Sequence, residues 1–144
     1  MNLVLEYDDI TSNNIFFHES VKNTVMNDSS FIRLLYSNND IVLNGIFMKL
    51  DIYKDKNKVL GNYTKISDLV ENINNLEKLI LNHYNPQKLQ SNKLKDQLNY
   101  HINKINNNTK DVIYSYLLKI SGIWETDNTI GLTYKFIYMY DLSY

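Results

Sequence analysis

A small α+β domain, with an antiparallel sheet curling toward a barrel and one long helix set among its strands, is the fold that three features of this 144-residue chain predict. Apolar and polar residues alternate with period two over residues 31–53 and again over 112–142, the mark of half-buried strands. Between these blocks, residues 64–84 carry apolar side chains at steps of three and four, the mark of an amphipathic helix. The chain has no Cys, so a packed core rather than disulfides must hold it, and at this size about two thirds of the unfolded surface is buried on folding.

The elements follow in order. In residues 1–30, "LVLEY" reads as a short strand and "TSNN" and "NDSS" as turns, together an edge strand or arm. "FIRLLY" is a strand and "SNND" the turn after it. In "IVLNGIFMKLDIY", Ile46, Met48, Leu50 and Ile52 alternate with Phe47, Lys49, Asp51 and Tyr53. Asn44-Gly45 is either a two-residue hairpin turn or a bulge bending one long strand; the bulge is preferred because "SNND" already supplies a turn. A further strand is expected near Val59–Tyr63.

The helix over 64–84 has Ile66, Leu69, Ile73, Leu76, Ile80 and His83 on one stripe, with Leu79 beside it. Thr64 or Ser67 can cap it, Asp68 and Glu71 suit its positive end, and Asn85-Pro86 ends it. Its Glu and Asn residues read as a solvated face. Residues 87–110 fit a second helix through Leu94, Leu98, Ile102 and Ile105, or a short strand through Leu98, Tyr100 and Ile102. The resulting order, with the helix between the third and fourth strands, is that of a five-stranded OB-like barrel; a generic α+β sandwich has the same order.

The last block, "KISGIWETDNTIGLTYKF", forms a hairpin. A loop over Glu125–Asn128 pairs Trp124 with Thr129 and sets Gly122 opposite Gly131, Lys119 beside Tyr134, and Tyr116 opposite Ile137. Paired glycines permit a bend or the close approach of a flat ligand. In the functional reading Trp124 is a stacking platform, with Tyr134 and Tyr116 as neighbouring rings and Lys119, Lys135, Arg33 and Lys49 as phosphate contacts.

Residues 118–137, "LKISGIWETDNTIGLTYKFI", resemble the closing hairpin of OB-fold single-stranded-DNA-binding proteins of large DNA viruses and phages. In that family a strand ending in Gly–Ile–aromatic precedes a Gly-containing strand rich in Lys and aromatics. The family's acidic C-terminal tail has no counterpart in "MYDLSY". The abundance of Asn, Ile, Lys and Tyr, with "FIRLLYSNNDIVLNGIFMKL", also resembles small proteins of nucleocytoplasmic large DNA viruses. The resemblance implies single-stranded nucleic-acid binding in viral DNA replication. The alternative is a structural or assembly protein of a virion or viral factory.

Composition narrows the classes further. Fifteen basic and sixteen acidic residues, interspersed, leave no basic stripe for wrapping duplex DNA. His18, His83 and His101 are isolated, and Glu6, Asp8 and Asp9 read as a solvated turn, so no metal is expected. No nucleophile elbow, P-loop or dinucleotide fingerprint occurs; neither an enzyme nor a cofactor is expected. No stretch reaches the roughly 20 apolar residues of a membrane span, so no membrane partner is expected, and the location read is intracellular: host cytoplasm, viral factory or packaged in the virion. Tyr134, Phe136 and Tyr138 on one face of the last strand read as core, whereas Tyr114, Tyr116 and Tyr140 in an exposed patch would point to a homo-oligomer or a viral protein partner.

Overall fold

Alternating burial along four long strands builds one sheet, and two helices cover its inner face. The computed structural model describes residues 4–24, 28–53, 66–107 and 113–139. In chain order the elements are β1 (Ile15–Phe17), β2 (Val21–Lys22), β3 (Ser30–Ser37), β4 (Val42–Leu43), β5 (Ile46–Tyr53), α1 (Ile66–Tyr84), β6 (Leu89–Ser91), α2 (Leu94–Asn106), β7 (Ile113–Glu125) and β8 (Thr129–Met139). β7 is central: β8 pairs along one edge, while β3 and β5 share the other, β3 at residues 122–125 and β5 at 113–120. β1 and β2 line the far edge of β3, and β6 runs parallel to the start of β8. The result is a mixed α+β fold with a curled, open half-barrel sheet.

The "SNND" turn forms as its chemistry dictates. The Asn38 side-chain oxygen accepts from the Asp40 and Ile41 amides at 2.8 and 2.9 Å, an Asx turn that folds β4 back on β3. Gly45 then re-aims the chain, which leaves its pairing with β3 and takes up pairing with β7. Its φ of +119° is open to glycine, and the Ile120 carbonyl oxygen lies 2.7 Å from where a Cβ would sit. Asn44-Gly45 is therefore a bend within the run 42–53, not a hairpin turn.

Two expectations change here, and one open alternative is resolved. Instead of lying between a third and a fourth strand, α1 falls between the fifth and sixth of eight described strands, because β1 and β2 precede β3 and the bend at Gly45 divides residues 42–53. Residues 94–106 are a helix, not a strand, since Leu94, Leu98, Ile102 and Ile105 all turn into the core. Val59–Tyr63 and Thr64 lie outside the described residues.

The second change is the hairpin register. Trp124 faces Gly131 rather than Thr129, and Gly122 faces Thr133 rather than Gly131. Two features set the pairing. The loop is tighter than four residues: the Thr126 amide donates to the Thr129 carbonyl at 2.9 Å, and the Thr126 hydroxyl accepts from the Thr129 amide at 3.1 Å. Glu125 stays in the strand, its carboxylate turned inward to the Tyr84 hydroxyl at 2.7 Å and the Lys88 ammonium at 2.9 Å. Between Ile120 and Gly122 a bulge then inserts Ser121, so below it the pairing is offset from the expected one by one residue rather than two.

The core lies between the sheet's inner face and the helices. Ile32 and Leu34 of β3, Ile46, Met48 and Leu50 of β5, and Leu118, Ile120 and Ile123 of β7 meet Ile73, Leu76, Ile80 and Leu81 of α1. Burying each such side chain stabilises the fold by roughly 1.5–3 kcal/mol. One charged residue joins them. Glu77 of α1, whose residue type suits a solvated face, has no accessible surface. Both of its carboxylate oxygens accept from the Leu94 amide, at 3.3 and 3.2 Å, which caps the start of α2. Burial pushes its pKa up to about 7 against the opposing pull of these amides.

Candidate functional site

The bulge at Ser121 decides which side chains share the sheet's helix-free face. Along an even strand Lys119 and Trp124, an odd number of residues apart, point to opposite sides. The extra residue brings them to the same side and sends Tyr116, Leu118 and Ile120 into the core. On the resulting face the pairings form rows: Phe31, Trp124 and Gly131; Arg33, Gly122 and Thr133; Phe47, Lys119 and Lys135; Lys49, Leu117 and Ile137.

Aromatic rings and cations interleave there. The Arg33 guanidinium stands 5.8 Å from the centroid of the Phe31 ring, and the Lys119 ammonium 5.8 Å from that of Phe47. Trp124, Phe31, Phe47 and Lys119 are half-buried, while Arg33, Lys49 and Lys135 are exposed. Lys49 has an acidic neighbour, Asp51, 3.8 Å away. Among the described strand residues of this face, four cations thus meet one carboxylate, a local excess that the near-neutral total conceals.

The two glycines serve the protein rather than leaving a bare patch. A Cβ on Gly122 would strike the Ile32 carbonyl oxygen and come within 3.0 Å of the Phe31 ring, so Gly122 lets β3 and β7 approach closely. Gly131 sits beneath the indole: Cε2 and Nε1 of Trp124 lie 2.5 and 2.7 Å from where its Cβ would be. The flat ring beside the bare patch is thus the ring that fills it. At the β2 edge of the face, His18, Glu19, Val21, Phe31 and Arg33 line a groove of about 640 Å³, and the His18 amide donates to the Arg33 carbonyl at 2.9 Å.

Of the residues expected to form the site, Trp124, Lys119, Lys135, Arg33 and Lys49 come together on this face. Tyr134 and Tyr116 do not. Both lie on the helix side: the Tyr134 hydroxyl reaches the Lys93 carbonyl at 3.4 Å, and Tyr116 is buried with its ring 4.8 Å from that of His101. Burial also raises the Tyr116 pKa, helped by Tyr138 and Tyr114, and lowers that of His101, helped by Lys104. The other tyrosines also depart from expectation: Tyr114, read with Tyr116 as part of an exposed patch, is buried, Tyr138, read as core, is exposed, and Tyr140 lies outside the described residues. Phe31 and Phe47 were missed, although "FIR" and "FMK" each place a ring and a cation two residues apart, on one side of a strand.

A polar cleft of about 250 Å³ at the hairpin tip is lined by Lys22, Lys88, Glu125, Thr126 and Asp127, among others. Of these, Lys88, Glu125 and Thr126 are committed to one another. Lys88 donates to the Thr126 carbonyl at 2.7 Å and pairs with Glu125. Burial alone would raise the Glu125 pKa, but the Tyr84 hydroxyl and Lys88 bring it below the ordinary value. Burial and the Glu125 carboxylate push Tyr84 up to about 12, the reverse of an activated phenol. The cleft braces the turn. In the N-terminal segment, the Asp9 carboxylate accepts from the Glu6 amide at 2.9 Å and closes a 3-10 turn.

No helix among the described residues is long and apolar enough to cross a membrane. Comparison with protein-family models, curated proteins and solved structures finds no significant match to this chain.

Proposed function

We propose that this chain is a non-enzymatic binder of single-stranded nucleic acid, an OB-like half-barrel that uses the helix-free face of its sheet. One observation carries the reading: Phe31, Trp124 and Phe47 share that face with Arg33, Lys119, Lys135 and Lys49. Every base has a π-face, so stacking on such rings is sequence-tolerant and contributes roughly 1–3 kcal/mol per base. The cations standing over Phe31 and Phe47 have long, flexible stems. As a base takes the ring, the cation moves to the adjoining phosphate. A role in viral DNA replication belongs to the same proposal through the hairpin resemblance.

Titrating labelled oligo-dT while following Trp124 fluorescence tests the proposal. The expected result is quenching at micromolar protein and an affinity that falls with salt, with a log–log slope of about −0.7 for each phosphate neutralised. Absence of both quenching and binding at low salt sinks it. A second reading, a protein–protein assembly module, is favoured by the exposed end of β8, where Ile137, Tyr138 and Met139 are 36, 44 and 38 % accessible. In that case light scattering on the same sample shows an oligomer that grows with concentration.

A further inference from the structure

The spacing of the rows, taken with the single-strand-binding reading above, defines a length and a direction for the ligand. We infer that the face holds a short single-stranded segment of roughly four nucleotides lying along β7, with one base on the Phe31–Trp124 row and a second on Phe47. Two residues of strand separate the Trp124 row from the Arg33–Gly122 row. Beyond it, the three residues from Gly122 to Lys119 contain the bulge and advance by about two, so the two aromatic rows stand roughly 13 Å apart.

That separation is too wide for adjacent stacked bases, whose rise is about 3.4 Å. The bound strand therefore opens between the rings, stepping over about two nucleotides. The cations lie where the backbone crosses. Arg33 occupies the row between the two rings, Lys119 and Lys135 lie in the Phe47 row itself, and Lys49 lies one row beyond. At the other end, the groove beside Phe31 and Arg33 has room for a base to turn off the sheet edge.

The test is a length series of oligo-dT from two to twelve nucleotides, read by fluorescence with the intact chain, F47A and K119Q. Affinity is expected to rise until about four nucleotides and then to increase only with the number of overlapping sites. F47A should weaken the longer oligomers roughly five- to 150-fold, the stacking range above as a ratio of dissociation constants, and leave the dinucleotide nearly unchanged. K119Q, an exchange that keeps a polar, unbranched side chain, should reduce the salt slope by about 0.7 for oligomers of four or more but not for the dinucleotide. Affinity that climbs past eight nucleotides faster than the number of overlapping sites, or K119Q acting equally at every length, overturns the footprint and leaves single-strand binding standing. Failure of every oligomer to bind removes both.

Discussion

Gly122→Val is expected to lose about 3 kcal/mol or more of folding stability, a large fraction of a small domain's total. The new side chain would have to occupy the space of the Ile32 carbonyl oxygen, which belongs to the backbone of a paired strand and cannot swing aside. Moving it separates β3 from β7 at residues 122–125, where the sheet depends on close strand contact. Urea denaturation followed by far-ultraviolet circular dichroism measures the effect; a midpoint within experimental error of the parent would show that the strands are not so tightly joined. Gly131→Ala is the contrast. Its new methyl meets the Trp124 side chain, which can lift away, so stability falls less while the indole emission moves to the red.

Glu77 gives the second large effect, and it runs with pH. Its carboxyl titrates near 4.5 when unfolded and near 7 in the native protein, so between these values the folded state binds the extra proton. Stability is therefore highest at the acid end of this window and falls as pH rises through it. At about 1.4 kcal/mol for each tenfold change in proton affinity, ionised Glu77 costs roughly 3 kcal/mol by pH 8. Glu77→Gln keeps an oxygen for the Leu94 amide and removes the titration. The variant should match the parent near pH 4.5 and exceed its stability at pH 8, the difference opening between pH 4.5 and 7. His101, held below the ordinary imidazole value, pulls the opposite way in both proteins and cancels in the comparison. Parallel stability–pH curves for the two proteins would refute the assignment.

How far each feature was legible depends on the range of the interaction behind it. The alternation in "FIRLLY" and "IFMKLDIY" reflects a period set by strand geometry, and β3 and β5 are where it places them. Helix α1 is equally local: it ends at Tyr84, just before Asn85-Pro86. Glu77 was legible too and was misread by residue type. It lies four residues from both Ile73 and Leu81, in the middle of the stripe, and position on the stripe outweighed charge once α2 supplied amides to its carboxylate.

The site was legible in its parts but not in its assembly. Local sequence dictates the alternating strands, the long helix and the residue types available for stacking and charge, because each depends on neighbours a few positions away. The face on which those residues meet is set by contacts between distant parts of the chain. A carboxylate drawn toward Tyr84 and Lys88 keeps Glu125 in the strand, a threonine hydroxyl closes the turn, and one extra residue at Ser121 shifts the rest of the hairpin. Since side chains alternate along a strand, that single residue puts Lys119 beside Trp124 and buries Tyr116, a choice made across the fold that no local pattern records.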